Sequence, residues 1–532
     1  MDTETSLVVT GPEPDVAAIR ATEPVAVPAE AAPPEEVDRR SLFRRPLTMA
    51  LAALGGGALL AACDFTSAPF DRLVHLLERL TYGATPAERD HIVAIGEAAW
   101  LNEQFDPASL DTSAVDAKIA ALPALSQSAV QLFTNYPDGQ AQLAAAQLQL
   151  ALGIRAAESP AQLFERMVEF WSDHFNVPLA ERALQLLKIV EDREIIRPRA
   201  LGTFKDLVVA DALSPAMLLY LNNNESSVGA INENYGRELL ELHTLGVDGG
   251  YTEADVVSTA RLLTGWTINR NTGTFQFVLA RHDTSPLTIM GWTRPSDTNY
   301  LAHGIQFLQW LAVQPQCAQH VCRKLAVRFV SDQPDQSLVD AMAATWLANN
   351  SAIEPVLRTM VAHPAFDASA HGKFHRPLDY HAFVLRALGA QTAPTTAQSQ
   401  LVGLGKAFAG LGQLPFTWPH PNGFPDVEGA WLNTGAMLGR WNLAGDIVGG
   451  AFAPISYDVS PLRSSLVGKT ATEIYNLVAN QLVLENVTAV GQVFLNSQLG
   501  WTSSLRPSGA QIDTALPTIL VSVLVAADAQ HR

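Results

Sequence analysis

The chain has 532 residues, 48% of them hydrophobic and 17% charged, with a net charge of −18 from 53 acidic and 35 basic side chains. So much apolar surface excludes global disorder, and the length implies more than one packing unit. The acidic balance argues against nucleic-acid binding, and three cysteines are too few for a disulfide scaffold.

Residues 1–38 are rich in Pro, Ala, Val and Glu and show neither a helical nor a strand period, which reads as a disordered leader. Residues 39–62 read as a signal peptide. Asp38-Arg39-Arg40-Ser41-Leu42-Phe43-Arg44 resembles a twin-arginine export motif, with Asp38 where Ser or Thr is usual. A weakly apolar run over residues 47–60 leads to Leu60-Ala61-Ala62-Cys63, which resembles a bacterial lipobox. The run is shorter than the roughly 20 residues a spanning helix needs, so removal of the signal and lipidation at Cys63 is preferred to an uncleaved anchor. The expectation is an exported envelope protein, lipid-anchored to a membrane and facing the periplasm or the cell surface. Two or three acyl chains on one cysteine would hold it firmly.

The rest of the chain predicts a mainly α fold, a multi-helix globular array with a small β-hairpin insert. Residues 63–390 form the main helical domain, 391–400 a linker or loop, and 401–532 a C-terminal helical region packed on the main domain. Thr85-Pro86 and Ser214-Pro215 look like helix starts, and Thr252-Glu253-Ala254-Asp255 like a capping box with Asp for Glu. Gly246 and Gly265 fall just past apolar periodic runs. Two short β-rich runs flank the turn residues Asn271-Thr272-Gly273, placing the hairpin near residues 266–281. Helices resume near Thr298 and run to about Leu388, with a break at Gln333-Pro334. Another helix starts at Gln398, and residues 415–429 form a loop of Pro, Gly and aromatics. Cys317 and Cys322 lie on one helix about 140° apart, which suits two small buried hydrophobes better than a disulfide.

The block from Asn232 to Thr252, centred on Gly236-Arg237-Glu238-Leu239-Leu240-Glu241-Leu242-His243-Thr244-Leu245-Gly246, resembles the hallmark of a bacterial family known only as domain of unknown function 1800. Further segments agree, among them Phe170-Trp171-Ser172-Asp173-His174-Phe175-Asn176-Val177, Leu262-Leu263-Thr264-Gly265-Trp266 and His282-Asp283. Lys324-Leu325-Ala326-Val327-Arg328-Phe329-Val330, Arg376-Pro377-Leu378-Asp379-Tyr380 and a segment from Pro419 to Trp431 also match. The resemblance runs from about Phe70 to the C-terminus. It implies an exported protein whose gene often neighbours that of a second exported protein similar to sulfatases and alkaline phosphatases. It implies no reaction and no catalytic residue. The pattern usually has a Lys before the Gly that follows His-Asp, and residues 288–291 lack one.

Signatures of known chemistry are absent: there is no H-E-x-x-H and no G-x-S-x-G. Val467-Gly468-Lys469-Thr470 is not a phosphate loop, because Arg463 stands where the first Gly is required. On a helical wheel Glu238 falls inside the apolar stripe of Tyr235, Leu239, Leu242 and Leu245. A buried carboxylate needs an arginine such as Arg261, or a metal, or a raised pKa. His174 lies at the edge of another apolar helix face, as a core histidine or a ligand. His282 and Asp283 are neighbours in extended chain, so their side chains should point opposite ways. Convergence of His174, Glu238 and His282 would suit a divalent transition metal such as Zn, Mn or Fe. His243 is placed on a flank, about 140° from Glu238. The loop carrying Trp418, with Trp431 beyond it, either offers aromatics to a sugar or covers the core. Two function classes follow. One is a non-catalytic partner or scaffold for the sulfatase-like protein. The other is a metal-dependent hydrolase acting on envelope or extracellular polymers.

Overall fold

Helix-end chemistry sets several element boundaries in the computed structural model, which describes residues 70–483, 488–526 and 528–532. Arg39, Arg40 and Cys63, and with them the export and lipidation signals, lie outside the described residues. Helix α1 (Arg72–Leu80) starts where the Asp71 side chain accepts from the backbone of Leu73 and Val74. Thr85 caps the next helix, with Pro86 in its first turn. Ser214 also precedes a helix-opening Pro, but without a side-chain cap bond. The Thr252–Asp255 capping box forms in both directions. Gly246 and Gly265 take left-handed φ values of 85° and 76°, closing the turns that precede them.

Strands are few. Among the described residues there are three two-stranded antiparallel sheets. The expected hairpin pairs β1 (Trp266–Asn269) with β2 (Thr274–Phe277), in a register that sets Trp266 opposite Phe277. A second hairpin, β3 (Thr288–Ile289) with β4 (Trp292–Thr293), follows at once. The third sheet joins β5 (Gln391–Thr392) to β6 (Ile455–Ser456), so the segment expected as a linker is tied to a later part of the chain.

The apolar core gathers in two large clusters. One holds Trp171, Phe204, Leu239, Trp266 and Trp346, together with Cys317 and Cys322, which are buried and free as their helical spacing implies. The other holds Tyr380, Val384, Ile474 and Ile519, and it also takes Leu148 and Ile154 from α2 (Ala141–Glu158). Early and late parts of the chain therefore share one core. Each large side chain so buried contributes roughly 1.5–3 kcal/mol before entropy is counted.

One local feature overturns the wheel argument. Helix α6 (Asn234–Glu238) runs directly into a π-helical stretch, Leu239–Thr244, where Leu245 N bonds Leu240 O at 2.9 Å. The wider turn inserts a residue and shifts the phase of everything after it. His243 and Thr244 are wholly buried, whereas Glu238 and Leu242 are only half-buried. Glu238 therefore does not sit inside a buried stripe.

Candidate functional site

The three expected metal ligands are held apart. His174 ends helix α3 (Gln162–His174), and its Nε2 donates to the His243 carbonyl at 2.9 Å. Its ring is packed among Trp171, Phe175 and Phe204. His282 has both nitrogens engaged: Nδ1 donates to Thr264 O at 2.7 Å, and Nε2 accepts from Arg294 at 3.3 Å. The cation beside His282 is thus Arg294. Asp283 turns away and accepts from Arg261 Nε at 2.7 Å, as alternation requires. Arg261 is therefore not the partner of Glu238. Burial, then Glu241, raises the Glu238 carboxyl above its ordinary range. Among the described residues no group of three or more His, Cys, Asp or Glu is arranged to hold a metal.

The residue set on a flank, His243, is the one that meets His174, with ring centroids 6.1 Å apart. It is wholly buried, and neither ring nitrogen has a hydrogen-bond partner. Burial, helped by Lys324 and His320, pushes its pKa down to about 3, so the ring is neutral.

A different cluster emerges from helical spacing. On α3, Arg166, Glu169 and Asp173 recur at three- and four-residue steps and share a face. On α8 (Pro315–Phe329), His320, Lys324 and Arg328 do the same at steps of four. Arg376 lies at the start of α9 (Pro377–Ala387), and Asp379 in its first turn. Arg328 donates to Asp426 at 3.0 Å and reaches Asp379 at 3.4 Å, with Glu169 as a third partner. Arg376 Nη1 donates to Asp173 at 2.7 Å and to Asp426 at 3.1 Å, while its Nη2 pairs with Glu169. Arg532 lies 2.9 Å from the other Asp379 oxygen. Tyr82 donates to Glu169 at 2.9 Å, and Lys373 to Asp332 at 2.5 Å.

Burial and charge divide these groups. Burial would raise Asp426, but Arg376, Arg328 and Lys373 prevail and hold it well below the usual carboxylate range. Asp173 has a single guanidinium and two acidic neighbours. There burial wins, supported by Glu169 and Asp426, and its pKa rises to about 6. Burial lowers Lys324 to about 8 against the pull of Asp426 and Asp173. Lys324 makes no hydrogen bond or ion pair with any described residue. Two of the four carboxylates on Arg328 and Arg376 reach solvent: the Asp173 and Asp426 side chains are each 17% exposed, against 5% for Glu169 and 0% for Asp379. The network thus has a closed floor, Glu169 and Asp379, and a mouth that reaches solvent at Asp173 and Asp426, beside Lys324.

A loop makes the rim. Asn176 donates to the carbonyls of Trp418 and His420 at 2.8 and 2.7 Å. Tyr220 donates to the Pro419 carbonyl at 2.8 Å. Gly423, at φ 73°, packs so closely that an added Cβ would lie 2.1 Å from Asp173 O. Trp418 and Trp431 pack with Phe424, so part of the aromatic loop covers apolar surface while Trp418 stays half-exposed. A separate groove of about 570 Å³ beside α5 (Phe204–Ala212), lined by Arg199, Thr203 and Asp206 among others, contains none of these residues.

Asp173, Lys324, Arg328, Arg376 and Asp379 all lie in segments singled out by their sequence, yet none was read as a site residue. The signal available was the placement of charges at helical steps among apolar residues. One family model, described as "Protein of unknown function (DUF1800)", matches residues 75–527. No curated protein and no solved structure matches the chain.

Proposed function

Since the chain belongs to the DUF1800 family, whose activity is open, we propose that it is an exported, lipid-anchored envelope protein that serves as a partner or scaffold for a second exported protein of the sulfatase or phosphatase type. The twin-arginine and lipobox segments support export and anchoring, and the family resemblance supports the kind of partner. One structural observation carries the scaffold reading. The rim loop is clamped by Asn176, Tyr220 and the arginine network, and the segment it leads into exposes Val427, Leu432 and Leu438 at 38%, 46% and 37%. A fixed backbone bearing exposed apolar side chains suits protein docking. The test is co-expression with the neighbouring sulfatase-like protein and size-exclusion chromatography. A stable complex, weakened by Leu432→Ser, supports the reading; independent elution of the two proteins refutes it. The anchor is tested separately by the mass of mature protein, which should carry acyl chains on Cys63.

A hydrolase of envelope polymers is the second reading. It rests on the opposite displacement of Asp173 and Asp426 at one mouth, the pattern that separates an acid from a base. It draws on these carboxyls rather than on His174, Glu238 and His282.

A further inference from the structure

Residues 70–72 are tied by two ion pairs to a corner between helices. Arg89 Nη2 donates to Asp71 at 3.2 Å, and Arg72 forks onto the two Glu97 oxygens, each at 2.9 Å. Arg89 belongs to the helix Pro86–Ile95, and Glu97 opens the helix Glu97–Phe105. Gly96 makes the turn between them at φ 86°, with open space where a Cβ would stand. Val93 lies four residues after Arg89 on its helix, hence on the same face, and four before Glu97. The turn carrying Val93 and Ile95 therefore runs alongside Phe70.

This corner is apolar and open. Phe70, Val93 and Ile95 are 49%, 58% and 36% exposed, and Ala94, Gly96, Ala98 and Ala99 are exposed beside them. No charged residue stands between Val93 and Gly96. Single exposed apolar side chains are ordinary surface, but these gather at one place. What lies near that place is set by the chain before it. Cys63 precedes Phe70 by seven residues, which span at most about 25 Å when fully extended. That is less than the roughly 30 Å thickness of a bilayer's hydrocarbon core. Of the exposed apolar residues, these are the ones that so short a tether keeps beside lipid attached at Cys63.

Resting on the lipid-anchor reading, we propose that this corner is a membrane-contact site: Phe70, Val93 and Ile95 insert into the phospholipid bilayer that holds the Cys63 acyl chains. The depth is that of an interfacial segment, about 5–10 Å into the boundary between headgroups and acyl chains. Burying the three side chains removes apolar surface from water. The anchor has already brought them to the bilayer, so the second contact forms at high effective concentration. Acyl chains alone hold the protein at the membrane but leave its body free to swivel. The corner supplies the second point, and the ion pairs of Asp71 and Arg72 join it to the start of the tether. Together they fix which face of the protein looks away from the membrane.

The test uses the mature chain purified from membranes and reconstituted in vesicles of phosphatidylethanolamine and phosphatidylglycerol. Val93→Cys and Ile95→Cys, made separately, carry a nitrobenzoxadiazole label. Cys317 and Cys322 are buried and Cys63 is blocked by its lipid, so the label goes to the new thiol. Two controls are labelled in the same way. Ala87→Cys is exposed on the same helix about 9 Å back from Val93, and Val467→Cys is 56% exposed in the C-terminal region. A phospholipid spin-labelled high on its acyl chain should quench Val93→Cys and Ile95→Cys several-fold more than either control. Quenching no stronger than at Ala87→Cys, in protein whose mass shows acylated Cys63, overturns the membrane contact and leaves the anchor standing. Mature protein without acyl chains that does not float with the vesicles overturns both.

Discussion

Replacing Arg376 by Met isolates what the network contributes. The substitution removes one side chain that bonds three carboxylates. Glu169 keeps Arg328 and Tyr82, and Asp426 keeps Arg328. Asp173 keeps no ion pair. It escapes by taking a proton: from a pKa of about 6, one unit below pH 7, that costs about 1.4 kcal/mol. Glu169 and Asp426 each lose one charged hydrogen bond, worth roughly 1.5–3 kcal/mol apiece in a buried setting. The expected loss at pH 7 is therefore about 4–7 kcal/mol, at or above the roughly 3–5 kcal/mol of other broken buried pairs. At pH 5, where Asp173 is already protonated, the loss should shrink by about 1 kcal/mol. Urea denaturation followed by tryptophan fluorescence at both pH values measures this. Arg237→Met, whose partner Glu253 is open to solvent, is the control and should barely move the midpoint. A loss below about 1 kcal/mol for Arg376→Met at pH 7 would refute the view that Arg376 holds the site together.

Further expectations concern single groups. Asp173 has a raised folded pKa, so its contribution is fully present below the unfolded value near 3.8 and is lost as pH rises through about 6; facing Arg376, Glu169, Asp426 and Lys324, Asp173→Asn should gain on the wild type between pH 4 and pH 7, by up to roughly 3 kcal/mol in unfolding free energy. Asp426 has the opposite sign, its stability present above about pH 4 and lost on acidification, so Asp426→Asn should flatten the acid limb of the same curve. His243→Phe should fold with a thermal midpoint near the wild type, because a neutral ring with no hydrogen bond is exchanged for an apolar one beside Phe175. Gly423→Ala should loosen the rim loop, seen as faster proteolytic cleavage within residues 416–431, because a Cβ cannot fit against Asp173 O. Glu238→Gln should leave both the midpoint and the transition-metal content of the purified protein unchanged.

Much of the architecture was legible because it is written in local chemistry. Capping residues located the starts at Thr85 and Thr252, Asn271-Thr272-Gly273 located the hairpin, and the five-residue spacing of Cys317 and Cys322 correctly kept them free. The pairing of Gln391–Thr392 with Ile455–Ser456 was not legible, since two-residue strands carry no period. The site was legible only in part. A uniform wheel misplaced Glu238 and His243 because a π-helical turn has no compositional mark in this block. Asp173 and Arg376 meet across about two hundred residues of chain, and spacing rules see only what one helix holds. The ladder of Glu169 and Asp173 against Lys324 and Arg328 was visible as two charged faces, but their complementarity needed the fold.

One proton, on Asp173, separates the acid from the base at the mouth. Carboxyl carbons of ¹³C-labelled aspartate, followed by NMR from pH 3 to pH 8 in the wild type and in Asp173→Asn, measure it directly. One Asp signal should titrate near pH 6 and be absent in the variant, while Asp426 stays ionised down to the lowest pH at which the protein is folded. If no aspartate signal that titrates above pH 5 is lost in Asp173→Asn, the mouth carries no acid, and both the hydrolase reading and the assignment of Asp173 fall; Asp211, which burial also raises, should titrate high in both proteins.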